Sequence, residues 1–153
     1  MSFTTTSPIT LPAEYGYVLT AASSTFFVNF LHFILTARAR KASGIQYPTS
    51  FASAEQAEKD PKAFKFNCAQ RAHANFTENL TPFLGGLLIT GLKYPVFAGA
   101  AGLAWSVGRA SYAVGYSTRG PKGRILGFSI SSIVDFVLKL TAAYTAVGYA
   151  LGW

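Results

Sequence analysis

The stretch FNCAQRAHANFTENLTPFL, Phe66–Leu84, sets charged side chains against an apolar run long enough to cross a membrane. Arg71, Asn75 and Glu78 stand at positions i, i+4 and i+7, which form one face of an α-helix. Ionisable side chains at membrane depth cost about 3 kcal/mol each on insertion scales, so they indicate a functional site. A rise of 1.5 Å per residue separates the cation from the carboxylate by about 10 Å. This separation predicts an elongated zwitterionic ligand rather than a mutual salt bridge.

The composition of the whole chain indicates a membrane protein. Half of the 153 residues are hydrophobic and only 12% are charged, against about 25% charged residues in an ordinary soluble domain. The net charge of +7 comes from 13 basic and 6 acidic side chains. The basic ones cluster between apolar runs, which favours membrane topology over nucleic-acid binding. A single cysteine excludes an internal disulfide framework, and the two histidines are too scattered to predict a metal site.

Hydropathy predicts an all-α integral membrane protein, a single four-helix domain over residues 1–153. The polar loop between the first two helices contains a capping-box pattern, Ser53 with Gln56, which predicts a short helix near Ser53–Lys59. Basic residues concentrate in that loop and in the turn at 119–124, so the positive-inside rule places both in the cytoplasm. The predicted segments are a loose N-terminal tail at 1–13, spanning helices at about 14–39, 62–92, 95–118 and 124–149, and a polar cytoplasmic loop at 40–61.

A second polar face lies on the third helix. Arg109, Tyr112 and Tyr116 follow one another at i, i+3 and i+7. In the predicted topology this face, Arg71 and Arg38 all lie near the cytoplasmic surface, so elements far apart in sequence meet there. The alternative is that the arginines are snorkelling anchors and the tyrosines part of an interfacial aromatic belt.

For the other polar residues within the helices, a structural role is favoured over a direct role in the functional site. Asp135 and Lys139, at i and i+4, predict an ion pair within the bundle or between subunits, with a functional role as the alternative. Asn29 and His32 are expected to form hydrogen bonds inside the bundle. Cys68 is expected to be a packed or reversibly modified thiol rather than a nucleophile.

Two spaced motifs resemble those of a known family. Phe66-Asn-Cys-x-Gln-Arg-Ala-His-x-Asn-x-x-Glu78 and Gly102-Leu-Ala-Trp-x-Val-Gly-Arg-x-x-Tyr-Ala-x-Gly-Tyr116 resemble the signatures of helices 2 and 3 in the membrane-associated proteins of eicosanoid and glutathione metabolism (MAPEG). Glu14–Leu19 and Tyr47-Pro48 add to this resemblance. It extends over about residues 14–127 and is strongest to the family's type 3 microsomal glutathione S-transferase branch.

The resemblance implies a homotrimer of four-helix subunits. Glutathione would bind between neighbouring chains, near the cytoplasmic ends of the helices. The glutathione-binding residues that it implies are Arg71, His73, Asn75 and Glu78 of one chain, and Arg38, Arg109, Tyr112 and Tyr116 of the next.

Each implied residue type matches a group of glutathione, which carries two carboxylates, one ammonium and one thiol. Arg71 can hold a carboxylate through forked charge-assisted bonds, and Glu78 can receive the ammonium. The family's thiolate-stabilising arginine falls near the start of the fourth helix. The resemblance assigns this role to Arg124, with Arg119 or Lys122 as substitutes.

The implied activity is that of a glutathione S-transferase with glutathione peroxidase activity. Its second substrate would be a lipophilic electrophile or a lipid hydroperoxide that enters from the membrane lipids. No metal or nucleic acid is expected. The implied location is the endoplasmic reticulum, or the outer mitochondrial or nuclear envelope membrane. The alternatives are a cysteinyl-leukotriene-type synthase of the same family and a non-catalytic membrane trimer or scaffold.

Overall fold

The computed structural model describes residues 11–152, in which the chain forms four long helices, one short helix and a 3₁₀ turn. The part of the predicted tail at residues 1–10 lies outside the described residues, and Leu11–Ala13 are exposed before the first helix. The helices are α1 (Tyr15–Ser43), α2 (Ala54–Lys59), α3 (Pro61–Gly91), α4 (Pro95–Arg119) and α5 (Ile125–Leu151), with the 3₁₀ turn at Pro121–Arg124 between α4 and α5.

The predicted boundary between the first helix and the polar loop is wrong by four residues. Arg40 and Lys41, which were expected to begin the loop, are in the last turn of α1. The helix is capped by Gly44, whose φ of 70° lies in the left-handed region that glycine adopts without strain. The short helix within the loop is confirmed. Ser53 accepts a hydrogen bond from the backbone of Gln56 and the Gln56 side chain bonds back, which completes the capping box.

Glycines allow α4 to approach its neighbours closely. A Cβ placed on Gly99 would lie 2.6 Å from the Cβ of Tyr17 on α1. On the side that faces α5, a Cβ on Gly115 would overlap the carbonyl group of Gly123, and one on Gly127 would overlap the backbone of α4. Since even an alanine would push the helices apart, these contacts fix how α4 and α5 are aligned.

The core lies between α1, α3, α4 and α5 and is built around one aromatic stack. Trp105 lies parallel to Phe83, with ring centroids 3.7 Å apart, and Phe76 packs at 5.9 Å from the indole. Polar groups in the core bond across helices: the Thr90 hydroxyl donates to the Leu138 carbonyl over 3.1 Å. Such bonds satisfy hydroxyl groups that would otherwise be unpaired in an apolar interior.

The outer surface of the bundle is strongly apolar. Four phenylalanines of α1, at positions 26, 27, 30 and 33, are more than half exposed, and α5 exposes a similar set of aliphatic side chains. Among the described residues, α1 and the helical segment Pro121–Leu151 are long and apolar enough to cross a membrane. Patches of this size on a soluble monomer are rare, so the surface fits contact with lipid.

The loop between α1 and α3 folds back onto the beginning of α3. The Asn67 amide accepts a hydrogen bond from the Ala52 backbone and donates one to its carbonyl, over 2.8 and 3.0 Å. Gln70 donates to the Ser50 carbonyl. The loop is thereby held at the end of the bundle at which α3 begins and α4 ends.

Candidate functional site

A cleft opens at this end of the bundle, between α3, the last turns of α4 and the beginning of α5. Its volume is about 220 Å³. Polar side chains from three separate parts of the chain form one wall, and two apolar side chains at the start of α5 form the other. The lining residues are Arg71, Asn75, Tyr112, Arg124, Ile125 and Phe128.

Arg71 and Glu78 meet along the α3 surface. Arg71 Nη1 donates to Glu78 Oε1 over 3.1 Å, and both side chains are about half exposed, 51% and 52%. The expectation that the two are too far apart for a mutual salt bridge is therefore wrong. The backbone separation is two turns, but the long arginine side chain extends along the helix and reaches the carboxylate.

Arg109 is the buried cation of the site. It is 3% exposed and its Nη2 donates to Asn75 Oδ1 over 3.0 Å. Its guanidinium lies 4.8 Å from the ring centroid of Tyr112 and 5.6 Å from that of Trp105, positions that allow cation–π attraction. A snorkelling anchor would extend to the membrane surface, so this alternative is wrong for Arg109.

Tyr112 and Arg124, which both line the cleft, are in contact with the ring of Tyr116. The two tyrosine rings meet edge to face with centroids 5.7 Å apart, and the Arg124 guanidinium lies 4.9 Å from the Tyr116 centroid. Both rings are buried, so the tyrosines are not part of a lipid-facing belt. The beginning of α5 therefore presents a guanidinium, held over an aromatic face, to the cleft.

The three basic side chains around the α4–α5 turn occupy different places. Arg124 lines the cleft. Arg119 lines a separate depression on the other side of the turn, next to Gly115 and Gly123, and Lys122 is exposed on the 3₁₀ turn. Of the three candidates for the thiolate-stabilising cation, Arg124 is the one beside Arg71 and Asn75.

His73 lies away from the cleft, although the motif groups it with Arg71. Its ring is 5.8 Å from that of His32 on α1, and it lines a second cavity of about 290 Å³ between α1, α3 and the loop. Two residues along a helix correspond to a rotation of about 200°, which explains the opposite face. His32 is buried as expected, but its Nε2 has no hydrogen-bond partner among the described residues. Asn29 is exposed, so its expected place inside the bundle is wrong.

Arg38 is exposed on α1 and is not among the residues that line the cleft. The neighbouring Arg40, which sequence reasoning did not select, is the arginine with a structural role there. It donates to the Thr49 carbonyl over 2.8 Å and lies 4.5 Å from the ring centroid of Phe66. Arg40 therefore holds the loop against the beginning of α3.

Cys68 is packed, as expected, rather than presented to the cleft. It is 4% exposed and lies in one cluster with Ala72, Tyr112 and Tyr116. The apolar wall formed by Ile125 and Phe128 was missed in the sequence, although the spacing of i and i+3 after the basic turn could have identified it.

Several of the implied contacts between neighbouring chains occur within a single chain. The resemblance placed Asn75 on one subunit and Arg109 and Tyr112 on the next. Within one chain, the packing of α3 against α4 brings Asn75 to Arg109 and into one cleft with Tyr112. The one-chain site is open, because Arg71 and Glu78 remain half exposed.

The site's donor set suits an organic anion better than a metal. Among residues 11–152, no three His, Cys, Asp or Glu side chains come together in a group that could hold a metal ion. The cleft instead combines two guanidinium groups with an amide and a phenol, which bind carboxylate and thiolate groups.

Comparison with known protein families agrees with this chemistry. The sequence model of the MAPEG family matches residues 18–144. The match begins in the first turn of α1, ends within α5, and includes every residue that lines the cleft.

Proposed function

Because the chain belongs to the MAPEG family, we propose that it is a membrane-bound glutathione transferase with peroxidase activity. Family membership supports a glutathione-related transferase, peroxidase or eicosanoid-metabolising function. The observation that carries the narrower proposal is the cleft itself. Arg71 and Arg124 lie in one cleft with Asn75 and Tyr112, so a bound tripeptide would have one cation for a carboxylate and another for its sulfur.

Glutathione would bind by exchanging partners with the Arg71–Glu78 ion pair. A ligand carboxylate replaces Glu78 at Arg71, and the ligand ammonium replaces Arg71 at Glu78. An exposed ion pair contributes only about 0.2–1 kcal/mol to stability, so the pair opens at little cost. The charge on each protein side chain remains compensated in both states.

The Arg124 guanidinium would favour the thiolate form of bound glutathione. A free thiol has a pKa near 8.5 and is only a few per cent ionised at neutral pH. A cation within about 4–6 Å favours the anion, and about 1.4 kcal/mol lowers the thiol pKa by about one. Because the stack on Tyr116 fixes the guanidinium, little reorganisation is needed when the sulfur arrives.

The thiolate would then attack a lipophilic second substrate. With an electrophile it forms a thioether. In a substitution the leaving group departs with the electron pair of its broken bond, and in an addition the resulting anion takes a proton from water. With a lipid hydroperoxide, it attacks the distal oxygen to give the alkoxide, which is protonated, and glutathione sulfenic acid. A second glutathione converts this acid to the disulfide and water. Ile125 and Phe128 are 59% and 49% exposed, so an apolar substrate can reach the sulfur from the lipid side.

The open cleft supports a homotrimer in which a neighbouring chain completes the site. A volume of about 220 Å³ lies below the range of about 300–1,000 Å³ for small-molecule pockets. A neighbour would cover Arg71 and Glu78, and the exposed Arg38 is available for such a contact. We further propose a single domain with all four long helices across the membrane and the α2 loop in the cytoplasm. The family relationship favours the endoplasmic reticulum, or the outer mitochondrial or nuclear envelope membrane.

Thiolate absorbance tests this proposal. Mixing the detergent-solubilised protein with glutathione at neutral pH should produce the ultraviolet absorbance band of a thiolate, because the cation favours the ionised sulfur. Arg124→Gln should remove most of the band, whereas the matched control Arg119→Gln should retain it, because Arg119 faces the other side of the turn.

The same samples distinguish an enzyme from a scaffold. The wild type should conjugate glutathione to a chloronitrobenzene and reduce cumene hydroperoxide. If glutathione gives neither a thiolate band nor turnover with either substrate, the chain is a non-catalytic membrane protein. Turnover with a leukotriene epoxide alone would favour the cysteinyl-leukotriene-type synthase.

A further inference from the structure

A largely buried carboxylate lies on the helix whose first turn lines the proposed glutathione site. Asp135 is on α5, with a side chain 14% exposed, and its Oδ2 is paired with Lys139 Nζ, which confirms the predicted ion pair. Its other oxygen, Oδ1, is buried and has no hydrogen-bond partner among the described residues. A carboxylate oxygen left unpaired in an apolar interior is costly.

A complementary donor on α4 is also unpaired. Arg109 uses Nη2 to hold Asn75, but its Nε is buried and has no partner among residues 11–152. The opposite charges of the Asp135 carboxylate and this guanidinium attract each other, although no direct hydrogen bond joins them. A buried cation and a largely buried anion therefore attract each other, and each has one unused hydrogen-bonding atom.

The helix packing holds the two residues in a fixed relation. A Cβ built on Gly108 would lie 3.0 Å from the backbone nitrogen of Ser131, so α4 and α5 are in contact next to Arg109. Ser131 is one turn before Asp135 and on the same face of α5. Its buried hydroxyl donates to the Gly127 carbonyl over 2.9 Å, which leaves its oxygen free to accept a hydrogen bond.

We propose that Asp135 is a positioning residue for glutathione binding, acting through one water molecule that bridges Asp135 Oδ1 and Arg109 Nε. This inference rests on the proposed function. Buried waters commonly make about three hydrogen bonds to otherwise unpaired groups, and the Ser131 hydroxyl supplies the third partner. The bridge fixes the Arg109 guanidinium, which in turn holds the Asn75 amide at the cleft. Lys139 donates to the other carboxylate oxygen, Oδ2, and so holds the Asp135 side chain in place.

Glutathione affinity in Asp135→Asn tests this role. The amide retains the shape of the side chain but loses the charge that compensates Arg109, so the guanidinium no longer has one preferred position. We expect the Kd for glutathione, measured by calorimetry, to rise about tenfold. The kcat at saturating glutathione should stay within about twofold, because the sulfur and its cation are untouched.

Two further variants separate positioning from a general loss of structure. Lys139→Gln breaks the same ion pair from the other side and should change Kd less than about twofold, since the glutamine amide can still donate to Asp135. In an Asn75→Ala background, Asp135→Asn should have almost no further effect, because both act through the same contact. Equal losses in Asp135→Asn and Lys139→Gln, or additive losses in the double variant, would overturn the inference.

The bridge itself can be observed directly, even if the asparagine variant does not fold. A high-resolution structure of the wild type should show density for a water within hydrogen-bond distance of both Arg109 Nε and Asp135 Oδ1. A wild type that binds glutathione but lacks this density refutes the inference alone. A wild type that binds no glutathione refutes the proposed function.

Discussion

Arg71→Ala should separate the stability of the protein from its affinity for glutathione. In the ligand-free protein, Arg71 is half exposed and its ion pair with Glu78 is the contact that is lost. Such a pair contributes about 0.2–1 kcal/mol, which corresponds to a fall in Tm of at most about 4 °C for a chain of this size. In the complex, the same side chain would hold a ligand carboxylate through charge-assisted bonds worth about 1.5–3 kcal/mol. The Kd should therefore rise about 10–150-fold.

Thermal unfolding with and without glutathione measures both effects. At a glutathione concentration of about 100 Kd, the wild type gains about 2.7 kcal/mol, or about 5–10 °C in Tm. A variant with a Kd about 100-fold higher gains only about 0.4 kcal/mol, or about 1 °C. Lys59→Ala is the matched control, since it removes an exposed ion pair with Glu55 far from the cleft. A glutathione-induced shift in Arg71→Ala equal to that of the wild type would refute the assignment of Arg71 to the ligand.

Three further predictions test the catalytic cation, the apolar wall and the contact between α4 and α5. In Arg124→Gln, the conjugation rate should rise with pH up to the ordinary thiol pKa of about 8.5. The wild-type rate should reach its plateau at a lower pH, because the cation favours the thiolate. Identical pH–rate profiles would show that Arg124 takes no part in the chemistry. Phe128→Ala should raise the KM for a lipophilic electrophile about 10-fold with no change in glutathione affinity, and an unchanged KM would place the second substrate elsewhere. Gly127→Ala should lower the free energy of unfolding by about 1–3 kcal/mol through overpacking, because its Cβ would lie 2.7 Å from Tyr112 Cα. The control Gly85→Ala has open space around the new Cβ and should retain or raise Tm. Equal effects of the two substitutions on Tm would contradict the close packing of α4 and α5.

The sequence predicted the helices well because their signals are local. Apolar runs and the Ser53 capping box depend on neighbouring residues alone. The end of α1 was misplaced because charge was taken as the boundary, whereas the helix continues to Gly44, where glycine can reverse the chain. A basic cluster indicates the membrane surface, but it does not prevent a helix from extending beyond it.

The site was predicted in part because helical spacing fixes a face but not the reach of a side chain. Spacing placed Arg71 and Asn75 together, and both line the cleft. It did not reveal that Arg71 extends along α3 to Glu78. The position of His73 on the opposite face follows from the same periodicity, but the resemblance to a motif was given more weight.

Contacts between distant elements could not be obtained from spacing. The bond from Arg109 to Asn75 and the stack of Arg124 on Tyr116 depend on how α4 packs against α3 and α5. That packing is set by glycines whose partners are backbone atoms of another helix. A single sequence shows that such glycines are present, but it does not show which helices they bring together.

A structure of the protein with bound glutathione tests the central claim most directly. The account predicts that glutathione occupies the cleft between α3, α4 and α5, with a carboxylate at Arg71 and the sulfur within about 4–6 Å of the Arg124 guanidinium, the range in which a cation favours a thiolate. Glutathione bound in the His73 cavity, or a sulfur next to Arg119 instead of Arg124, would contradict it.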